Sequence, residues 1–367
     1  MPQTMIADAN RVKQWDDKAH TEYVRSNRFK RYMGANENAI IQVKEDLTKK
    51  RGDAISIPLV GALDASSGPN DGSSNLVGHE KALPNDGHSV KVRVVRDATV
   101  VNVEEEQASA INIRNAGRVA LKDLQMRYLR NDIIRALGSV DGRNYADATP
   151  AQRNAWHDNN KDRVLYGSAK SNFVDNDHAA SLANIDNSDD KLTHGVVSLA
   201  KRIAQNAQTV NGDGIRPYRY GEDMETFVMF VPSFAFRDLR EDLIANQYWQ
   251  DALARSKSNP LFSGPTSIEW DGVLVREIPE IPTLPGAGAG TPAIEVSPCY
   301  LCGAQALAAV WAMRTKTTTR KEDDYGFFYG VGFQELREVS KLQYGQDSGS
   351  AVDWGLVSVF TAGVADQ

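Results

Sequence analysis

The residues with the most chemical potential are Cys299 and Cys302, spaced as a Cys-x-x-Cys pair. That spacing serves thiol exchange or half of a zinc site. Zinc takes four ligands, however, and neither a second such pair nor paired histidines accompany these two. The six histidines, His20, His79, His88, His157, His178 and His194, form no HxxH, HxxxH or HExxH pattern, so transition-metal chemistry has no footing. Gly286-Ala287-Gly288-Ala289-Gly290 has the glycine density of a phosphate loop. Pro285 and Pro292 flank it and no helix is predicted to open there, which makes it a linker. Asp347-Ser348-Gly349 sets an acid beside a serine, but Gln346 precedes it and no histidine lies C-terminal to His194; these read as turn residues. Close carboxylates such as Glu104-Glu105-Glu106 and Glu322-Asp323-Asp324 arise easily among 48 acidic residues and mark solvated ends. The reading therefore assigns no catalytic, cofactor-binding or metal-binding residue and expects no cofactor.

A chain of 367 residues, 41 % hydrophobic and 25 % charged, has room for a substantial core and two or three domains. Its net charge of −6 argues against a dedicated nucleic-acid binder, which needs a concentrated basic face. It contains no run of about 18 apolar residues to span a bilayer, and its N-terminus lacks the apolar core of a secretory signal. The expectation is a soluble protein that stays in the cytoplasm where it is made, with no membrane partner. Two cysteines exclude a disulfide framework.

The element that must organise the rest runs from Ser109 to Gly138, the longest proline-free stretch with helical periodicity. Ile113, Leu121, Leu124 and Tyr128 form one apolar series and Met126, Leu129, Ile133 and Leu137 another, predicting a helix over 113–137 about 37 Å long. Asn112 suits its N-cap, Asn102 with Glu105 an alternative cap about two turns earlier, and Gly138 its stop. Before it, residues 1–36 scatter Trp15, Tyr23, Phe29 and Tyr32 among basic residues without a period. That is an arm, whose aromatics must lie on its own body or on a neighbouring subunit. A basic stop at Lys49-Lys50-Arg51-Gly52 ends a short apolar face. Strands at 54–60 and 89–103 flank a Gly-, Asn-, Asp- and Ser-rich excursion from Gly61 to Gly87, a protruding hairpin that calls for an intermolecular contact.

Beyond the long helix, residues 141–190 read as a polar insertion with little regular structure, broken by Val164, Leu165 and Tyr166. Asp189 or Asp190 is placed to cap a helix through Ile203, and Thr226–Val231 predicts a buried central strand. Ser233 is the predicted cap of the next helix. Tyr300 to Met313, apolar on nearly all sides, predicts a buried helix. Strands are expected again at 327–332 and 354–361.

Several stretches in order resemble the major capsid proteins of tailed bacteriophages, of the phage N4 type. They are Arg31-Tyr32-Met33-Gly34 with Asn38-Ala39-Ile40-Ile41-Gln42, then Ile55-Ser56-Ile57-Pro58-Leu59, Leu76 to Leu83, Phe227 to Pro232 with Arg237-Asp238-Leu239, Asn259 to Gly264 through Val275, Leu301 to Leu307, Asp324-Tyr325-Gly326, and Asp353 to Val357. The resemblance implies an α+β fold, the Hong Kong phage-like major capsid fold. Its parts would be an N-terminal arm (1–52), an extended β loop (53–103), a spine helix of the peripheral domain (104–140), an axial domain (141–325) with the insertion at 141–190, and C-terminal strands returning to the peripheral domain (326–367).

It also implies self-assembly into hexamers and pentamers of an icosahedral head around double-stranded DNA, without sequence-specific binding and without enzymatic activity. Portal and scaffolding or decoration proteins would be further partners, and the virion, assembled in the bacterial host cytoplasm, the location. A cellular nanocompartment shell with the same fold is the alternative. A hydrolase using Ser348 or the carboxylate clusters is a third reading.

Overall fold

The structure is a computed structural model and describes residues 27–45, 54–66, 68–69, 76–109, 112–220, 224–246, 267–320, 325, 327–346 and 349–366. Trp15, Tyr23, the Lys49–Gly52 stop, the 259–264 stretch, Glu322–Asp324, Asp347 and Ser348 lie outside the described residues.

A 3-10 turn (Arg28–Tyr32) leads into β1 (Met33–Gly34), β2 (Ile41–Lys44), β3 (Ala54–Val60), β4 (Asn85–Lys91), β5 (Arg93–Asn102), α1 (Val103–Ala108) and α2 (Ile113–Leu137). Then come α3 (Pro150–Asn159), β6 (Val164–Tyr166), α4 (His178–Ala183), α5 (His194–Asn206), β7 (Tyr218–Tyr220), β8 (Met224–Val231) and α6 (Ser233–Ala245). The chain continues as β9 (Ser267–Trp270), β10 (Val273–Glu277), β11 (Val296–Cys302), β12 (Leu307–Arg320), β13 (Phe328–Lys341), β14 (Gln343–Tyr344), β15 (Val352–Asp353) and β16 (Leu356–Ala362). One sheet has the order β1-β2-β12-β13-β5 and a larger one the order β6-β16-β11-β8-β10-β9, with β7 also on β8. By compactness the chain divides into two units. One takes in the described residues of Met1–Asn27, Val94–Leu129 and Met313–Leu336, the other Arg28–Arg93, Arg130–Ala312 and Arg337–Gln367.

In the first unit, the N-terminal part of α2 lies on a sheet face. Leu121, Leu124 and Tyr128 pack against Val95 of β5 and Val331 and Phe333 of β13. Side chains alternate along strands, and the carboxylates of Asp97 and Glu335 fall on the helix side. There Tyr128 Oη donates to Asp97 at 2.9 Å, while Gln125 Nε2 and Thr315 Oγ1 donate to Glu335 at 3.0 and 2.8 Å. Gly117 lets the helix approach closely, since a Cβ there would stand 3.0 Å from Thr99 Cγ2.

The second unit is built on the larger sheet. β8 is central, between β11 and β10, as the uninterrupted apolar run of 226–231 predicts. α5 and α6 cover one face with Val196, Val197, Ile203, Leu239 and Leu243 against Met229, Val275, Leu301 and Val357. Trp156, Tyr166, Leu182, Ile185 and Phe360 make a second cluster. Phe29 and Tyr32 end the arm buried on this same unit, edge-on to Phe230 at 5.0 and 5.3 Å between ring centres.

The long helix occupies the predicted 113–137, and each proposed cap serves a different helix. Asn112 Oδ1 accepts from Asn115 N, and Asn102 caps the separate α1 by accepting from Glu105 N. Four expectations are corrected. Residues 300–313 are not a helix but the end of β11 and the start of β12; Gly303 and Gln305, the latter at φ 59°, turn the chain between them. An apolar segment covered on both faces has no period to distinguish a buried strand from a buried helix. Residues 141–190 hold α3, β6 and α4, and their Asn, Asp and Thr residues are structural. Thr149 and Gln152 form a capping box, Asp177 caps α4, and Asn160 is fully buried. Asp190 does not cap α5, which Thr193 caps; its carboxylate accepts from Ser168 and Asn172 instead. Ser233 makes no cap bond; its hydroxyl donates to Glu277.

The burial of α2 also revises which positions hold it. Leu124 and Leu129 are half-buried, whereas Ile133 and Leu137 are fully buried. The C-terminal strand β16 meets α5 and α6 through Val357 and Val359. Ile133→Asp is therefore expected to cost about 4 kcal/mol, because it buries an unpaired charge. Leu124→Asp should cost about half as much. Urea unfolding of both variants checks the order, and equal losses would contradict it.

Candidate assembly surface and buried polar clusters

β3 and β4 pair from Ala54↔Lys91 to Val60↔Asn85. Ile57 and Val90 seat this hairpin base on Ala308, Val310 and Leu342. The excursion beyond it is fastened at its root: Gly61 N donates to Pro84 O at 2.9 Å and Ala62 N to Val210 O at 3.1 Å. Lys81 Nζ crosses the loop to Asp64 O at 2.6 Å and Gly68 O at 3.3 Å. The Ser66 side chain and its backbone N, the latter at 2.8 Å, donate to the Asp64 carboxylate and hold that carboxyl below its ordinary range. The excursion thus has its own internal bonds, yet Val60, Leu63, Leu76, Val77 and Leu83 are between 51 % and 77 % exposed. Apolar side chains concentrated on one exposed, internally braced loop make it a candidate surface for contact with another protein.

The buried interior carries two polar clusters that the sequence reading did not find. At the first, Asp353 is 1 % exposed and its carboxylate accepts from Lys341 Nζ at 2.7 Å, Gln343 Nε2 at 2.9 Å and Trp156 Nε1 at 3.1 Å. Its backbone N donates to Asn160 Oδ1 at 2.8 Å, and Arg163 donates to its carbonyl. Burial, and then the charge of Asp353, push the nearby Asp141 carboxyl up.

The second cluster is a chain of hydrogen bonds: Tyr145 Oη to His178 Nε2 at 2.8 Å, His178 Nδ1 to Tyr166 Oη at 2.6 Å, Tyr166 Oη to His157 Nδ1 at 2.7 Å, and His157 Nε2 to Val174 O at 2.9 Å. A carbonyl only accepts, so His157 Nε2 carries a proton, and the donors of the whole chain then follow in one direction. Tyr166 donates to a neutral His157, His178 donates through Nδ1 to Tyr166, and Tyr145 donates to His178 Nε2. Both imidazoles are neutral and of opposite tautomer. Burial holds both below their ordinary value of 6.5, His178 at about 3.

The candidate chemistry of the sequence is dispersed. Cys299 and Cys302 share strand β11, where a spacing of three points side chains to opposite faces. Burial pushes the Cys299 thiol up to about 12 and raises that of Cys302 as well, leaving neither a ready thiolate. Gly286–Gly290 is not a flexible connection but a packed loop, with Ala289 N donating to Ile185 O and Gly288 N to Ile294 O. Glu104–Glu106 form the first turn of α1. Among the described residues no group of three or more His, Cys, Asp or Glu is placed to hold a metal ion. The two polar clusters leave no sequence signal, since their members follow no motif spacing and face one another only in the fold.

Two outcomes follow. Lys341→Met leaves the Asp353 carboxylate buried without its cation and is expected to cost about 3 kcal/mol, read as a fall in the urea midpoint. The histidine chain makes stability pH-dependent. Unfolded histidines protonate below 6.5 while His178 resists until about 3, so stability is complete above 6.5 and is lost as pH falls through that window. His178→Phe should flatten this slope between pH 6.5 and 4.5, and an unchanged slope would exclude His178 as its source.

Comparison with known proteins gives this architecture its relatives. The family described as phage capsid protein matches residues 3–365. Among solved structures, the capsid asymmetric unit of cyanophage Pam1 is 32 % identical, with each chain covered over 100 % of its length and a TM-score of 0.86. The capsid of Ralstonia phage GP4 is 20 % identical over 100 % of both chains, TM-score 0.77, and the head of Helicobacter pylori bacteriophage KHP40 is 11 % identical over 97 % of this chain and 96 % of that one, TM-score 0.65. These last two speak to the fold, which is the Hong Kong phage-like capsid fold. No curated protein matches the sequence. A family match over almost every residue and a full-length relative at 32 % identity converge with the exposed, braced hairpin: the chain belongs to the phage capsid protein family.

Proposed function

We propose that this chain is the major capsid protein of a tailed bacteriophage, of the phage N4 type, and that copies of it build the hexamers and pentamers of an icosahedral head around double-stranded DNA. The observation that carries this reading is the end-to-end similarity to a phage capsid subunit. Its role is mechanical, with no catalytic step. The net charge of −6 suits a wall that confines DNA and leaves its phosphates to counterions. Portal and scaffolding or decoration proteins complete the particle, which assembles in the host cytoplasm. The relatives favour a phage head over a cellular nanocompartment.

In this proposal residues 1–52 act as an arm, 53–103 as the extended loop, 104–140 as the spine helix, 141–325 as the axial domain and 326–367 as returning strands. The exposed Leu63, Leu76, Val77 and Leu83 of the loop are covered by a neighbouring copy. Because Phe29 and Tyr32 are buried on their own chain, the arm's contact with a neighbour is assigned to residues 1–26.

Particles purified from infected cells are expected to contain double-stranded DNA within shells of this protein; shells with an enzyme cargo and no genome would overturn the reading. Leu76→Asp with Val77→Asp should leave a folded subunit, by circular dichroism, that forms no closed shells under the electron microscope. Deletion of 1–26 should likewise impair closure without unfolding the body. Normal shells from both variants would remove the loop and arm from assembly.

A further inference from the structure

The second unit contains a cavity of about 1060 Å³, at the upper end of the roughly 300–1,000 Å³ of small-molecule sites. Its walls come from the end of α2, the 144–156 segment, α4, the 280–288 loop and strands β11 and β16. Trp156, Tyr145, Tyr300, Leu284 and Phe360 make the lining largely apolar. The charged side chains on the wall are matched elsewhere, with one exception. Lys341 is held by Asp353, Arg135 by Asp132 and Glu338, and Glu280 by Arg130. Arg153 lies with its guanidinium 4.5 Å over the Tyr145 ring. Among the described residues it has no carboxylate partner, and its Nε is buried without a hydrogen-bond acceptor.

The Arg153 side chain is only partly buried and hydrogen-bonds Tyr145, so it keeps its charge at the cavity wall without a counter-charge, and an anion entering the cavity gains a charge-assisted partner there. One unmatched cation calls for one negative charge, and planar two-point donation suits a carboxylate. The remaining volume is bounded by aromatic and aliphatic side chains, which reward hydrocarbon. We propose that this cavity binds a single-chain amphiphile with a carboxylate head, a free fatty acid, with the head on Arg153 and the chain between Trp156, Phe360 and the 280–288 loop. This inference goes beyond the shell-forming role and does not depend on it, because its test reads the folded full-length chain.

The probe is dodecanoate below its micellar concentration, titrated calorimetrically into the purified protein, with dodecanol as the uncharged control. Saturable binding of dodecanoate at one site per chain is expected. Arg153→Ala should weaken dodecanoate at least about tenfold while leaving dodecanol unchanged, the loss of one charge-assisted contact. Ala183→Trp, at the exposed rim of the cavity, should block both ligands in a protein whose circular dichroism is unaltered. Absence of saturable dodecanoate binding to the wild-type chain would overturn the proposal. So would undiminished dodecanoate affinity in Arg153→Ala, or wild-type binding by Ala183→Trp.

Discussion

A carboxylate removed from water survives only if every lone pair finds a donor, and Asp353 shows what that requirement does to a fold. Its donors come from α3, from the end of β13 and from β14, and its own backbone returns a bond to Asn160. The polar segment 141–190 and the C-terminal strands are therefore tied at one buried charge. Replacing any one donor leaves the rest without compensation, because Lys341 is as buried as Asp353. Such a site contributes little net stability when intact and costs much when broken. Its consequence is register: only one placement of α3 against the strands satisfies all the donors.

The same economy governs the histidine chain. Val174 O sets the proton on His157, and that choice passes through Tyr166 to His178 and Tyr145. A single carbonyl thus assigns two tautomers in a cluster that also stacks His157 on Phe173 at 3.9 Å. In the other unit, the carboxylates of Asp97 and Glu335 are bound from the helix by Tyr128 and Gln125. Polar groups in both units orient the packing that apolar contacts drive.

For a subunit whose work is to meet copies of itself, what stays exposed matters as much as what is buried. The excursion between β3 and β4 would be floppy if it were only a polar loop. Lys81, Asp64 and the Gly61 and Ala62 bonds brace it, so less conformational entropy remains in it for the binding of any partner to remove. Phe29 and Tyr32 anchor the arm by the opposite means, taking their aromatic surface out of water on the chain's own body.

The sequence by itself determined the elements whose pattern is set by a single exposed edge or a single period. The helix at 113–137 was legible because its apolar series repeats at three and four, and β8 because its run is unbroken. Of the hairpin only the first strand was legible, because 54–60 alternates; its partner strand begins at Asn85 within residues that read as a turn, and the predicted strand 89–103 divides into β4 and β5 in different sheets. Motif order alone carried the family. The tertiary structure decided the rest, because it depends on pairings between distant residues. Whether 300–313 is strand or helix depends on its neighbours in the sheet, since burial on both sides erases periodicity. Whether Asn160, His157 and Asp190 are solvated loop residues or buried nodes depends on partners such as Asp353, Tyr166 and Ser168. A side chain's type states which bonds it can make; only the fold supplies the atom at the other end.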